Sequence, residues 1–214
     1  EGPAEDSGTV VGSLGQAALA GVGLGGYVNF MAIALVMGLG VGVQATVARR
    51  RGQGLVDQSA EPLNNGLLIA ALIALPLSLL CWFNAEAILA LLSDDPEVTA
   101  IGADYFRWRA LAIIAVGCNF AFRGYWNGIR QTGRYLQILV VMHIFNVVIS
   151  YGLIFGRFGL PEMGAEGSGL GTTLAMFLGT ALYFTLTWFR GRRQGFLRRL
   201  PPLAELRLML RLSL

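Results

Sequence analysis

A chain of 214 residues that is 55% hydrophobic and only 14% charged, with a mean hydropathy of +0.60, does not have the composition of a water-soluble domain, where charged residues approach a quarter. All sixteen basic residues are arginine and most flank apolar stretches, so the net charge of +3 reports membrane topology and contact with anionic lipid headgroups and argues against nucleic acid as a partner. The complete lack of lysine fits a GC-rich coding genome and points to a bacterium.

The chain opens with the acidic segment Glu1–Asp6, followed by Ser7–Ala20, a mild, glycine-containing stretch too interrupted to read as a span. It lacks the basic lead and contiguous apolar run of a signal peptide, so residues 1–20 read as a truncated N-terminal region. Five apolar stretches follow: Tyr27–Ala48, Gly66–Leu92, Ala110–Trp126, Leu136–Phe155 and Gly167–Phe189. Each approaches or reaches the roughly 20 residues a helix needs to cross a bilayer. The expected fold is therefore all-α, a polytopic transmembrane helix bundle of about five spanning helices over residues 21–200. Residues 201–214 begin with Pro201-Pro202 and place Leu203, Leu206, Leu210 and Leu214 near helical spacing, as a cytoplasmic linker or the start of a further helix.

The loops alternate in charge. Arg49–Arg51, Arg130 with Arg134, and the cluster from Arg190 to Arg199 follow the first, third and fifth spans, whereas Ser93–Glu97 is acidic and Gly156–Gly167 sets Arg157 against Glu162 and Glu166. The positive-inside rule places the arginine loops in the cytoplasm, as in a multi-pass protein of a bacterial inner membrane. Asp95-Pro96-Glu97 has the form of a helix N-terminus. Pro76 removes one backbone hydrogen bond within the second span, giving either a static kink or a bending point. Gly38, Gly40 and Gly42 lie in an apolar helix and suggest close packing rather than nucleotide binding.

Cys81 and Cys118 fall inside spans and suggest neither a disulfide nor a metal site. No spacing typical of a hydrolase, a metalloenzyme or a nucleotide-binding enzyme occurs, so the expectation is a protein that is not an enzyme and carries no cofactor. Polar groups within spans are then the best functional pointers, since each costs free energy unless paired or hydrated. His143, Asn146 and Ser150 share one face of the fourth span at i, i+3 and i+7. They serve either proton, cation or substrate binding, or hydrogen bonding between helices. Asn119, Arg123 and Asn127 form a second stripe at i, i+4 and i+8, with Arg123 close enough to the cytoplasmic end to act as an interface anchor. Arg107 and Arg109 are expected to pair with Asp104 or the acidic turn, and Asn29 and Gln44 read as packing residues.

Several segments carry a resemblance. Phe122-Arg123-Gly124-Tyr125-Trp126-Asn127-Gly128, the run Asn146–Gly156, the run Leu160–Thr173, Gly12–Gly15 with Ala18–Ala20, and Val47–Gly54 occur in the order and spacing of the multidrug and toxic compound extrusion (MATE) family. The resemblance implies a twelve-helix antiporter of two six-helix lobes, coupled to H+ or Na+ and exporting small organic molecules. The present spans resemble helices two to six of the N-terminal lobe, so the missing C-terminal lobe is an expected partner, together with membrane lipids. Asn146 matches the family's helix-five asparagine at the cation site, and Thr172 matches a helix-six threonine associated with it in some members. Ser150 stands where many relatives have an aspartate, which leaves the coupling ion open between sodium and a proton carried by His143. Asp6 is one residue out of spacing with the family's helix-one acid, whose role is not carried over to it. The candidate cation- or substrate-binding residues are thus Asn146, His143, Ser150, Thr172 and Asn119. The alternatives are a lipid-linked saccharide flippase of the same superfamily and a truncated membrane protein that does not transport.

Overall fold

A computed structural model of the chain describes residues 15–197. Asp6, the Gly12–Leu14 part of one motif, Arg198, Arg199 and the Leu203–Leu214 segment lie outside the described residues. Every regular element among those described is helical: α1 (Gln16–Met37), α2 (Leu39–Gly52), α3 (Glu61–Phe83), α4 (Ala85–Ala90), α5 (Pro96–Gly128), α6 (Thr132–Phe155) and α7 (Gly164–Gly191). Single 3-10 turns occupy Val56–Gln58 and Arg192–Gln194. Gln16–Gly52, Val56–Phe83, Thr132–Phe155 and Gly164–Gln194 are long and apolar enough to cross a membrane. With 33 residues, α5 is about 50 Å long, although Asp104, Arg107, Arg109 and Arg123 lie along it. The all-α polytopic reading of the sequence holds.

The helix ends differ from the sequence reading in instructive ways. The first span starts at Gln16 rather than near Tyr27, because its glycines serve as contact points. A Cβ added at Gly21 or Gly25 would fall 2.9 Å from the backbone of Gly102, so α1 and α5 touch through main chain. The span is interrupted at Gly38, where α1 gives way to α2. The second span ends at Phe83 rather than Leu92: Asn84 turns its amide back onto the Leu80 carbonyl at 2.8 Å, and the short α4 follows. The third extends far ahead of Ala110, because Asp95 caps it as the acidic turn predicts. Asp95 Oδ1 accepts from the backbone N–H groups of Glu97 at 2.9 Å and Val98 at 3.4 Å. α3 remains helical through Pro76.

The described residues form two compact units. One comprises the residues up to Ala32, Leu77–Ala112 and His143–Ala175; the other comprises Ile33–Pro76, Ile113–Met142 and the residues from Met176 onward. The second unit holds the loops with Arg49–Arg51, with Arg130 and Arg134, and with Arg190–Arg193, while the first holds the loops at 93–97 and 156–164. The arginine-bearing loops thus share one unit and the loops at 93–97 and 156–164 the other.

In the first unit α5 is the common neighbour of three helices. Ser78 of α3 donates to the Ala110 carbonyl at 2.8 Å, Thr173 of α7 donates to the Trp108 carbonyl at 2.7 Å, and the Gly21 and Gly25 seam joins α1. Trp108 Nε1 donates to Glu166 at 2.6 Å, and the Trp82 ring stands edge-on to Trp108.

In the second unit α5 again lies against α2, α3 and α7. Gly124 meets the Gly40 carbonyl, Gly117 meets Ala70, and Asn119 bonds α7. The core there comprises Val43, Val47, Leu63, Phe122, Tyr125, Trp126, Tyr183 and Phe196, all nearly inaccessible. Its arginine-bearing end is closed by polar contacts. Arg50 pairs with Glu61 at 2.6 Å and donates to the Gln58 carbonyl at 2.7 Å. Gln194 Oε1 accepts from Ser59 at 3.1 Å and Tyr125 at 2.8 Å. Asn64 donates to the Gly195 carbonyl at 3.0 Å while accepting from the Leu197 N–H at 2.9 Å.

Candidate functional site

α6 is apolar over most of its length, so its polar face is conspicuous. Ser150 Oγ donates to Asn146 Oδ1 at 2.9 Å, one turn apart on the same helix, and both residues are half-buried. The pair is backed by α7, whose Gly171 lies directly against Ser150, with Gly167 against the Leu153 carbonyl one turn further on. Thr172 follows Gly171 in sequence, but its hydroxyl donates to the Ser168 carbonyl of its own helix at 2.9 Å. His143 lies one turn before Asn146 and is exposed. Asn146, Ser150, Thr172 and His143 therefore all belong to the first unit, and Asn146 with Ser150 is the pair in direct contact.

Asn119 belongs to the second unit and makes a packing contact. Its Nδ2 donates to the Met176 carbonyl at 3.1 Å, and its Oδ1 accepts from Thr180 at 3.0 Å. Both ends of that amide are satisfied by α7. Arg123 is exposed, with its guanidinium 5.8 Å from the centre of the Tyr135 ring, as an interface anchor would be. Arg107 pairs with Asp104 at 2.5 Å and reaches Glu86 at 3.5 Å. Arg109 does not share that arrangement: its Nε and Nη1 are buried and have no hydrogen-bond partner among the described residues. Asn29, read from sequence as a packing residue, is 3% exposed, and its Oδ1 has no partner among the described residues. Its position well inside an apolar helix was the available signal for an open acceptor.

The chemistry open to the α6 face follows from its donor set. Asn146 and Ser150 supply neutral oxygens, α6 contains no carboxylate, and the one carboxylate of α7, Glu166, sits in its first turn and is held by Trp108. Cation affinity rises with the number of charged ligands, so this face suits a weakly held monovalent ion or a hydrated one. His143 is the chain's sole histidine.

Long apolar helices with segregated arginines and a neutral polar face on one of them are those of a multi-pass helical membrane protein. The MatE family model matches residues 7–152. Among similar proteins, a probable multidrug resistance protein NorM of Agrobacterium fabrum is 33% identical over 162 residues, covering 74% of this chain and 34% of that protein. A probable NorM of Bradyrhizobium diazoefficiens is 35% identical over 173 residues, covering 81% and 37% respectively. The multidrug resistance protein PmpM of Pseudomonas aeruginosa is 34% identical over 161 residues, covering 74% and 33%. The fold matches an inward-facing multidrug resistance MATE transporter of the MOP superfamily with a TM-score of 0.84 at 20% identity, over 96% of this chain and 47% of that one. It matches an outward-facing one with a TM-score of 0.83 at 23% identity, over 95% and 45%. The chain belongs to the MATE family. It spans less than half the length of the relatives it matches.

Proposed function

We propose that this chain forms part of a proton-coupled antiporter that exports small organic molecules across a bacterial inner membrane, working with the further segments that complete the length of its relatives. The relatives named for multidrug resistance favour drugs and toxic compounds over lipid-linked saccharides as substrates. The observation that carries the reading is the α6 face. Asn146 is bonded by Ser150, no carboxylate lies on that helix, and the exposed His143 is the residue to which the proposal assigns the proton. Protonation there would favour one packing of the transporter over the other, and a ligand shifts such an equilibrium only by its difference in affinity for the two states.

The test is dye efflux from everted vesicles driven by a proton gradient or by a sodium gradient. Wild type is compared with His143→Ala, Asn146→Ala and Ser150→Asp at matched expression. The reading expects transport under the proton gradient, its loss in His143→Ala, and gain of sodium dependence in Ser150→Asp. Full proton-driven efflux in both alanine variants would return this face to packing.

A further inference from the structure

Two cavities lie side by side at the arginine-bearing end of the second unit. The first, of about 350 Å³, lies among Arg134 in the first turn of α6, Arg190 in the last turn of α7, Arg193 in the following 3-10 turn, and Trp126 and Gln131. Among the described residues no carboxylate lines it. Trp126 is 1% exposed, and its indole Nε1–H has no partner among the described residues; Gln131, whose amide can present either end, likewise has an unpartnered oxygen. The second cavity, of about 360 Å³, shares Arg134, Phe189 and Arg190 with the first and runs between α6 and α7 over Ile138, Leu182 and Leu186. One space is cationic with an orphaned buried donor. Its neighbour has an apolar floor of Ile138, Leu182 and Leu186, with Gln137 and Thr185 also in its lining.

Three guanidinium groups around one space repel one another unless an anion enters, and arginine holds phosphate oxygens through paired N–H donors. A free anion would account for the first cavity but would leave the second unused. A cationic organic substrate would be repelled by the first. The cytoplasmic end of a membrane helix pair is where anionic lipid is concentrated. We propose that this is a binding site for an anionic phospholipid, with its phosphate among Arg134, Arg190 and Arg193 and one acyl chain lying in the groove between α6 and α7.

The test is native mass spectrometry of the protein released from detergent, with phosphatidylglycerol, phosphatidylcholine or inorganic phosphate added. The expected result is a phosphatidylglycerol adduct at least tenfold more abundant than the phosphatidylcholine adduct. It should fall at least tenfold in the double variant Arg134→Gln/Arg193→Gln and remain unchanged in Arg157→Gln, which belongs to the first unit. Thr185→Trp obstructs the groove from an exposed position while all three arginines are retained, and is expected to remove the adduct while leaving the melting temperature in place. Equal retention of the two lipids, or an adduct that survives both variants, overturns the proposal. So does millimolar inorganic phosphate displacing the lipid completely, which would assign the cationic space to a free anion.

Discussion

Gly171 meets Ser150 with no side chain between them: a Cβ built on Gly171 would run into both the Oγ and the Cα of Ser150. The polar pair on α6 is thus pressed against the main chain of α7. Gly171→Leu should destabilise the protein by about 2 kcal/mol through overpacking and abolish efflux. Gly23→Ala, at an exposed helical position with nothing within 4 Å of the added Cβ, should be neutral or stabilising by up to about 1 kcal/mol. Thermal melting in detergent distinguishes the two, and equal melting of both variants would remove the argument that this glycine sets the helix spacing.

Asn119 offers a test of packing against transport. Its loss in Asn119→Ala removes bonds to Met176 and Thr180 of α7, which in membranes are worth roughly 0.6 kcal/mol each on average. The variant should melt slightly earlier and retain wild-type gradient dependence in dye efflux. A changed coupling ion would place Asn119 in the transport machinery.

The Arg50 and Glu61 pair is largely withdrawn from solvent, with side chains 10% and 17% exposed. Glu61→Ala leaves the guanidinium without that carboxylate and should cost about 3 kcal/mol. The double variant Arg50→Met/Glu61→Met should recover much of this, since both charges of the pair are then replaced by apolar groups of similar size. If the double variant melts no higher than the single one, the penalty lies elsewhere than in the lost contact between Arg50 and Glu61.

Sidedness is open to direct chemistry. In a background with Cys81 and Cys118 replaced by alanine, cysteines introduced at Arg130 and Arg192 should react with a membrane-impermeant maleimide only from the cytoplasmic side. Those at Asp94 and Phe158 should react only from the outside. Labelling of positions 130 and 192 from opposite faces would overturn the topology.

Legibility in the sequence followed the strength of the physical signal. Uninterrupted apolar runs fixed the cores of the spans, and arginine placement foretold which loops share a unit. Asp95-Pro96-Glu97 announced the start of α5, because a capping carboxylate and a proline are specific to that position. The start of α1 was hidden, since Gly21 and Gly25 weaken a hydropathy pattern for the same reason that they strengthen packing: they have no side chain. At the site, helical spacing correctly put Asn146 and Ser150 on one face. It could not reveal that both ends of Asn119 are spent on α7, nor that Asn29 keeps an open acceptor, because satisfaction depends on partners distant in sequence. Arg107 and Arg109 look alike in the chain, yet one meets Asp104 while two nitrogens of the other are buried without a partner among the described residues.

The grip of Asn64 on the backbone either side of Phe196 has a mechanical consequence. A tug arriving along the polypeptide from position 198 onward is delivered to the first turn of α3 as well as to the tail of α7, so force is shared between two rods rather than unravelling one. Whatever is tethered to this end hauls on a fixed bracket.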